Sequence, residues 1–371
     1  MSSTEPKLVT YFHSKGEKLG IPVSGTFELT RKCNFNCKMC YVHCTDTSQD
    51  AELTTSEWLQ IAEDAKKAGL LFLLLTGGEP LMRPDFAELY TRFSEMGFMI
   101  SINSNGSMFN ESIFELFRRN PPTRVNVSLY GGSDETYENL CENKKFNTVI
   151  SNIKRLKEMG ISVRLNCVFN RYNVHDTEEI YRIAKENDLI IKPTAYMYPS
   201  LRAKGEKGDN EARLSPEEAA KNTIFCRRLT FSEEQLRANA EQMMSLYPPE
   251  CDPDAEGDGV RCRAGKCSFW LTYDGKMLPC GMMTEPAVSL KEHSFAEAWQ
   301  LTRGETCKIR LPKECQSCAY KSVCNVCAAM CYTETGSFSG KPEYICKMAK
   351  AIADEYVNLF GKDMKRNENQ S

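Results

Sequence analysis

The sequence predicts an α/β fold: a partial six-stranded (β/α)6 parallel barrel followed by a small Cys-rich C-terminal domain. Three observations predict it. From residue 24 to about 198, short apolar runs alternate with segments of helical periodicity. Runs such as Leu70 to Leu75 are continuously apolar, as strands buried on both faces of a parallel sheet are. The 18 cysteines concentrate in two places, a loop at residues 33–40 and a stretch from 262 to 346.

Thr26 to Thr30 is the first strand. Thr54-Thr55-Ser56-Glu57 is a capping box, after which Trp58, Ile61, Ala62 and Ala65 recur at helical spacing until Gly69 stops the helix. Leu70 to Leu75 is the second strand. Pro84 opens a helix whose Phe86, Leu89, Tyr90 and Phe93 share one face, and Gly97 closes it. Phe98 to Asn103 is the third strand, Ile113, Phe114 and Phe117 mark a helix, and Val125 to Leu129 is the fourth strand. Val149, Ile150, Ile153 and Leu156 mark a helix ending at Gly160. Val163 to Val168 and Ile190 to Ala195 are the last two strands, with a helix around Ile180 and Ile183 between them. Six strands joined by five helices imply right-handed βαβ units, two short of a closed barrel. The working loops of such sheets lie beyond the strand C-terminal ends.

Pro199 to about Val260 breaks the alternation. Arg202 to Asp209 is a charged loop, Ser215-Pro216-Glu217-Glu218 starts a helix, and a second helical run covers about Ser232 to Leu246. Tyr247-Pro248-Pro249 and Cys251-Asp252-Pro253-Asp254 mark turns. Trp270 to Cys280 then reads as a hairpin with an Asp274-Gly275 turn. The chain divides accordingly into a core at 24–198, a helical linker at 199–260 and a Cys-rich unit at 261–350.

Bulk composition excludes several functions. Of 371 residues, 41% are hydrophobic and 26% charged, which is ordinary globular usage. A net charge of −3 gives no basic footprint for nucleic acid. Met1 to Gly20 lacks the apolar core of a secretory signal, and the longest apolar run is far too short to span a membrane. A cytoplasmic protein is expected. Dense cysteine in a reducing compartment points to metal or cluster ligation rather than disulfides. Cys44, Cys141, Cys167, Cys226, Cys251 and Cys307 stand alone and suit small buried hydrophobes.

The loop after the first strand, Cys33-Asn34-Phe35-Asn36-Cys37-Lys38-Met39-Cys40, carries three thiols at C-x3-C-x2-C spacing. Three thiolates can hold three irons of a cubane cluster and leave the fourth iron open, as catalytic metal sites keep a position open. Thr76-Gly77-Gly78-Glu79-Pro80 follows the second strand; paired glycines let backbone approach a ligand closely, and Glu79 can pair with an amine. Asn103, Ser128 and Asn166 sit at or near other strand ends, where each can hydrogen-bond a sugar or cap a turn.

The three-Cys loop with Gly77-Gly78-Glu79 resembles the radical S-adenosylmethionine superfamily, over roughly residues 24–198. The resemblance implies that Cys33, Cys37 and Cys40 bind a 4Fe–4S cluster whose open iron is chelated by S-adenosylmethionine. It implies that Glu79 and the Gly77–Gly78 backbone hold the methionine amine, and that Ser128, Asn103 and Asn166 are candidates for ribose or carboxylate contacts. A 5′-deoxyadenosyl radical then abstracts hydrogen from substrate. Two departures stand out. Met39 replaces a frequent aromatic, leaving Tyr41 as an adenine neighbour, and no Arg lies between Ser128 and Phe146, where only Lys144 or Lys145 could hold the methionine carboxylate.

The C-terminal cysteines follow as Cys262-x4-Cys267, Cys280, Cys315-x2-Cys318-x5-Cys324-x2-Cys327-x3-Cys331 and Cys346. A zinc ribbon is the plain alternative, but these nine cysteines exceed two zinc sites. With the hairpin and the Phe295-Ala296-Glu297-Ala298-Trp299 helix, the pattern resembles the SPASM extension of the superfamily. That resemblance implies two auxiliary 4Fe–4S clusters. One would use Cys262, Cys267, Cys280 and either Cys327 or Cys331; the other would use Cys315, Cys318, Cys324 and Cys346. Sulfatase-maturing members carry an Asp directly after the hairpin Cys, a candidate proton acceptor. Gly281 stands there in this chain, and Asp274 suits an Asx turn. No catalytic acid or base is assigned.

The resemblance makes a radical enzyme acting on a peptide, by crosslinking or side-chain change, the first expectation. Auxiliary clusters would assist electron transfer. Only about 25 residues precede the first strand, so leader recognition would need a separate peptide-binding protein. A tetrapyrrole or other small molecule of the haem pathway is the alternative, and a zinc-stabilised binding scaffold a distant third. A reductase, flavodoxin or ferredoxin would supply the electron.

Overall fold

A computed structural model of the chain describes residues 7–41, 52–200, 210–245 and 257–361. The charged loop expected at Arg202 to Asp209, the turns around Tyr247 and Cys251, and the lone Cys44 and Cys251 lie outside the described residues. So does Leu246, the end of the second helical run.

The barrel alternation is present. Helix α1 (Lys7–Leu19) precedes β1 (Ser24–Glu28), α2 (Thr55–Lys67), β2 (Phe72–Thr76), α3 (Phe86–Glu95), β3 (Met99–Ser104), α4 (Glu111–Arg119) and β4 (Arg124–Ser128). Two helices follow, α5 (Asp134–Cys141) and α6 (Phe146–Glu158), then β5 (Val163–Val168), α7 (Thr177–Glu186) and β6 (Ile190–Thr194). The expected capping box at α2 is formed: Glu57 N–H donates to Thr54 Oγ1 at 3.3 Å and Thr54 N–H to Glu57 Oε2 at 2.7 Å. The sequence pattern misses α1 and α5. Helix α5 is short, with a polar exposed face, so local periodicity says little about it.

After α8 (Pro216–Thr230) and α9 (Glu233–Ser245) come β7 (Ser268–Leu271), β8 (Lys276–Leu278), β9 (Val288–Ser289), α10 (Phe295–Lys308), α11 (Ala328–Thr335) and α12 (Glu343–Phe360). Among the described residues one sheet runs β6-β5-β4-β3-β2-β1-β7-β8-β9. The hairpin expected within the C-terminal unit therefore extends the barrel sheet. Strand β7 pairs parallel to β1, with Thr26 opposite Trp270, and β8 and β9 follow antiparallel. This covers the edge that β1 would otherwise expose, a common remedy for unpaired strand groups. At the far edge, Pro193 in β6 withholds a donor.

Alternate residues of β1–β6 face the helices, and they make the main core. Phe27, Leu75, Ile102, Val127 and Leu165 are fully buried there with Trp58 and Phe93. Burying such large side chains stabilises the layer by roughly 1.5–3 kcal/mol each. The intervening residues, among them Asn103, Ser128 and Asn166, face the concave side. Helix α8 packs on α12, where Ala220, Ile224, Ile352 and Tyr356 form a separate core.

Candidate functional site

The loop after β1 is gripped from three sides. Gly78 N–H donates to Thr30 O and Glu79 N–H to Lys32 O, both at 2.8 Å. A Cβ on Gly77 would lie 2.4 Å from Thr30 O, and one on Gly78 2.3 Å from Lys32 O, so only glycine allows this contact. The close approach that the sequence suggests for a ligand is thus made to the chain's own cysteine loop. From the β3 side, Asn105 Nδ2 donates to Asn34 Oδ1 at 2.8 Å and reaches Cys33 Sγ at 3.8 Å, while Asn34 Nδ2 donates to Ser107 Oγ at 2.9 Å.

The third grip is the C-terminal end of α5. A helix end leaves carbonyls without intrahelical partners. Two of them are used by the loop: Asn36 N–H donates to Cys141 O at 3.1 Å and Lys38 N–H to Leu140 O at 3.0 Å. Asn143 Nδ2 donates to Asn34 O at 3.2 Å. Cys141, expected as a plain buried hydrophobe, is fully buried and also bonds Cys37. Cys167 and Cys226 are buried as expected, whereas Cys307 is exposed.

Cys33, Cys37 and Cys40 lie within electrostatic reach of one another. Burial pushes the Cys33 thiol up to about 11, with Glu79 and Cys40 adding to the rise. The Cys37 thiol is held well above its usual range by the hydrogen bond to Cys141, by burial and by neighbouring thiols. Thiols in such surroundings become thiolates only against a bound cation. Among the described residues no three His, Cys, Asp or Glu converge on one point as ligands of a single ion do. A cluster asks for no such point, because each Cys takes a different iron. The donor set fits an iron–sulfur cluster.

Glu79 is fully buried. Its carboxylate accepts from Asn105 N–H at 2.7 Å, from Leu81 N–H at 3.2 Å, and from Ser104 Oγ at 3.0 and 3.1 Å. Burial pushes its carboxyl up to about 7, against the pull of these donors. Ser104 and Asn105, rather than their neighbour Asn103, therefore join the second-strand loop to the cysteine loop. The Ser104-Asn105-Gly106 run at a strand end was the available signal. Asn103 instead accepts from Asn126 Nδ2 at 2.8 Å. Ser128 pairs in register with Asn166, whose Oδ1 is shielded and without a hydrogen-bond partner among the described residues.

Lys144 forms an exposed ion pair with Glu138 at 3.1 Å. Met39 Sδ lies 3.1 Å from Asn170 Nδ2, and Tyr41 lines a small cavity with Gly281 and Met282. A Cβ on Gly281 would meet the Trp270 ring at 2.7 Å, and Trp270 Nε1 donates to Glu28 Oε2 at 2.7 Å. The indole occupies the space an Asp side chain would need. Asp274 sits in its turn, bonded to Thr272 and 2.6 Å from Lys276 Nζ.

Among the C-terminal cysteines, Cys315, Cys318, Cys324 and Cys346 line one cavity of about 330 Å³, together with Arg261, Lys321 and Lys341. Cys267 is in reach of Cys262. The Tyr198 hydroxyl lies 3.8 Å from Cys327 Sγ, and both Cys327 and Cys280 push its phenol up, after burial. Cys331 is buried, and its titratable neighbours are Cys315, Cys327, Cys324 and Cys346.

Residues 27–184 match the Radical SAM superfamily, so the chain carries a radical SAM domain. The class this defines is that of S-adenosylmethionine-dependent radical enzymes, which implies S-adenosylmethionine and a 4Fe–4S cluster. Among sequence relatives is the AdoMet-dependent heme synthase of Methanosarcina barkeri, 26% identical over 341 residues, covering 86% of this chain and 94% of that protein. The AdoMet-dependent heme synthase of Oleidesulfovibrio alaskensis is 24% identical over 329 residues and covers 84% of each. Streptococcus suis SuiB bound to precursor peptide SuiA superposes with a TM-score of 0.65 at 18% identity, covering 93% of this chain and 82% of that one. The anSMEcpe protein with bound AdoMet and Cp18Cys peptide gives 0.68 at 18%, covering 91% and 97%. At these identities the solved structures establish the fold alone. Among the described residues no helix is long and apolar enough to cross a membrane.

Proposed function

We propose that this radical enzyme acts on a small molecule of the tetrapyrrole class, with Cys33, Cys37 and Cys40 holding the cluster. The observation that carries the cluster site is Asn105, which contacts Glu79 through its backbone and Asn34 and Cys33 through its side chain. When bound, the cluster and S-adenosylmethionine supply a 5′-deoxyadenosyl radical that takes a hydrogen atom from substrate. The chain's own part is to fix the cysteine loop between Gly77–Gly78, Asn105 and the end of α5, and to shield the thiols. The Gly77–Glu79 segment would present the methionine amine with its partners, and Asn103, Ser128 and Asn166 would line the cofactor's sugar and carboxylate.

The near end-to-end alignment with heme synthases supports the tetrapyrrole reading. Peptide modification, placed first by the family resemblance, is the second reading, supported by the likeness in fold to SuiB with its precursor peptide. A leader-peptide-binding partner belongs to that reading only. The units proposed are 24–198, 199–260 and 261–350, in a cytoplasmic enzyme served by a reductase, flavodoxin or ferredoxin. Two auxiliary 4Fe–4S clusters are proposed, one on Cys315, Cys318, Cys324 and Cys346. The other would use Cys262, Cys267, Cys280 and Cys327, since Tyr198 lies beside both Cys280 and Cys327.

The test is anaerobic turnover of reconstituted protein with S-adenosylmethionine, a reductant and either an iron porphyrin bearing propionates or a peptide library. A rise in 5′-deoxyadenosine with a mass change on the porphyrin is expected. A rise and mass change with peptide alone would transfer the assignment to the second reading.

A further inference from the structure

The six parallel strands contain three cations, and all three stand on the last three strands: Arg124 on β4, Arg164 on β5 and Lys192 on β6. Each alternates with core residues, Val125, Leu165 and Ile191, that pack toward the helices, so all three face the concave side. The register sets their spacing. Asn126 is level with Arg164 and Asn166 with Lys192, so each cation stands two residues further along its strand than the last. Two residues of rise and one strand of sideways shift separate neighbouring Cα atoms by about 8 Å, and the outer pair by roughly 16 Å.

Among the described residues no carboxylate neutralises this diagonal. None of the three forms an ion pair among the described residues, and the single acid in the six strands, Glu28, lies on β1, three strands from the nearest cation, bonded to Trp270. The cations repel one another instead: burial and then Arg124 hold the Arg164 guanidinium below its usual value, and burial and then Arg164 do the same for Lys192. Polar atoms beside them are also unsatisfied. Among the described residues, Arg164 Nε, Asn126 Oδ1 and Asn166 Oδ1 are shielded from solvent and have no hydrogen-bond partner. Like charges grouped on one face with unmet donors are costly unless a ligand completes them.

We infer that Arg124, Arg164 and Lys192 form a subsite on the concave face of β4–β6 for a substrate carrying two or more separated carboxylates. The inference rests on the small-molecule reading above and deepens it. Guanidinium groups bind carboxylates through paired donors, which suits Arg124 and Arg164, while Lys192 adds a point charge. The diagonal is too long for one carboxylate, so the single carboxylate of S-adenosylmethionine does not account for it. Carboxylates on opposite arms of a rigid, flat molecule do. The row climbs toward β6, the last strand on that side of the sheet, where Lys192 is exposed among the described residues.

The test uses reconstituted full-length protein and two probes, coproporphyrin I, which carries one propionate on each of its four pyrroles and so on opposite arms, and its tetramethyl ester. Binding is read by porphyrin fluorescence, beside S-adenosylmethionine affinity and 5′-deoxyadenosine formation. Wild type is expected to bind the free acid at least tenfold more tightly than the ester. In Arg164→Gln and in Lys192→Gln that preference falls at least fivefold, with S-adenosylmethionine affinity within twofold of wild type. No preference in wild type, or a preference that survives both variants, overturns the subsite. So does loss of S-adenosylmethionine binding in Arg164→Gln, or tri-glutamate bound more tightly than the porphyrin through the same residues. Absence of 5′-deoxyadenosine from wild type would count against the radical reading and leave the porphyrin comparison to be judged by itself.

Discussion

Asn105 donates its backbone N–H to the Glu79 carboxylate at 2.7 Å while its side chain bonds Asn34 of the cysteine loop at 2.8 Å. One residue at the end of β3 thus fixes the loops that follow β1 and β2. A fully buried carboxylate is tolerated because three donors surround it.

That carboxylate predicts a pH dependence. Its value in the fold, about 7, exceeds the ordinary 4.5, so the native state binds the proton more tightly than the unfolded chain. The associated stability is fully present below the unfolded value and is lost as pH rises through about 7. The total is about 3 kcal/mol, of which about 1 kcal/mol falls between pH 6 and 8. Urea unfolding of metal-free protein at those two pH values, with Glu79→Gln as reference, measures it. Equal pH slopes for the two proteins would contradict the assignment.

Gly78→Ala drives a methyl group into Lys32 O, which is backbone and cannot swing away. A loss of about 1–3 kcal/mol is expected, as for other overpacked sites. Because the strain falls on the loop carrying Cys33, cluster loading should drop more than the helix signal. Iron content and circular dichroism on the same sample decide this.

Cys37→Ala should abolish 5′-deoxyadenosine formation and remove about four irons from a total of about twelve, one cubane's share. Cys141→Ala should keep that iron, because the carbonyl of residue 141 still accepts from Asn36 N–H when the thiol's bond to Cys37 is lost. Full 5′-deoxyadenosine production by the Cys37 variant would defeat the cluster assignment.

Cys327 and Cys331 should differ. Replacing Cys327, which like Cys280 is a neighbour of Tyr198, is expected to lose about four irons, and replacing Cys331 to lose none. The reverse pattern, read by iron analysis and Mössbauer spectroscopy, would give the fourth position to Cys331.

Periodicity and spacing alone determined the six barrel strands, most of their helices and the C-x3-C-x2-C loop, because a strand's apolar run and a chelating spacing are local properties. The Asp274-Gly275 hairpin was legible for the same reason. Its place was not: pairing of β7 with β1 joins residues about 240 positions apart, and strand propensity says nothing about which edge is free. Only the tertiary structure decided that Gly77 and Gly78 press on Thr30 and Lys32, that Ser104 and Asn105 hold Glu79, and that α5 ends on the cysteine loop. The alignment of Arg124, Arg164 and Lys192 likewise needed the register of three strands, since each is an unremarkable single charge in its own segment. Contacts between distant segments follow from how the layers stack, and that is settled by packing the whole core at once.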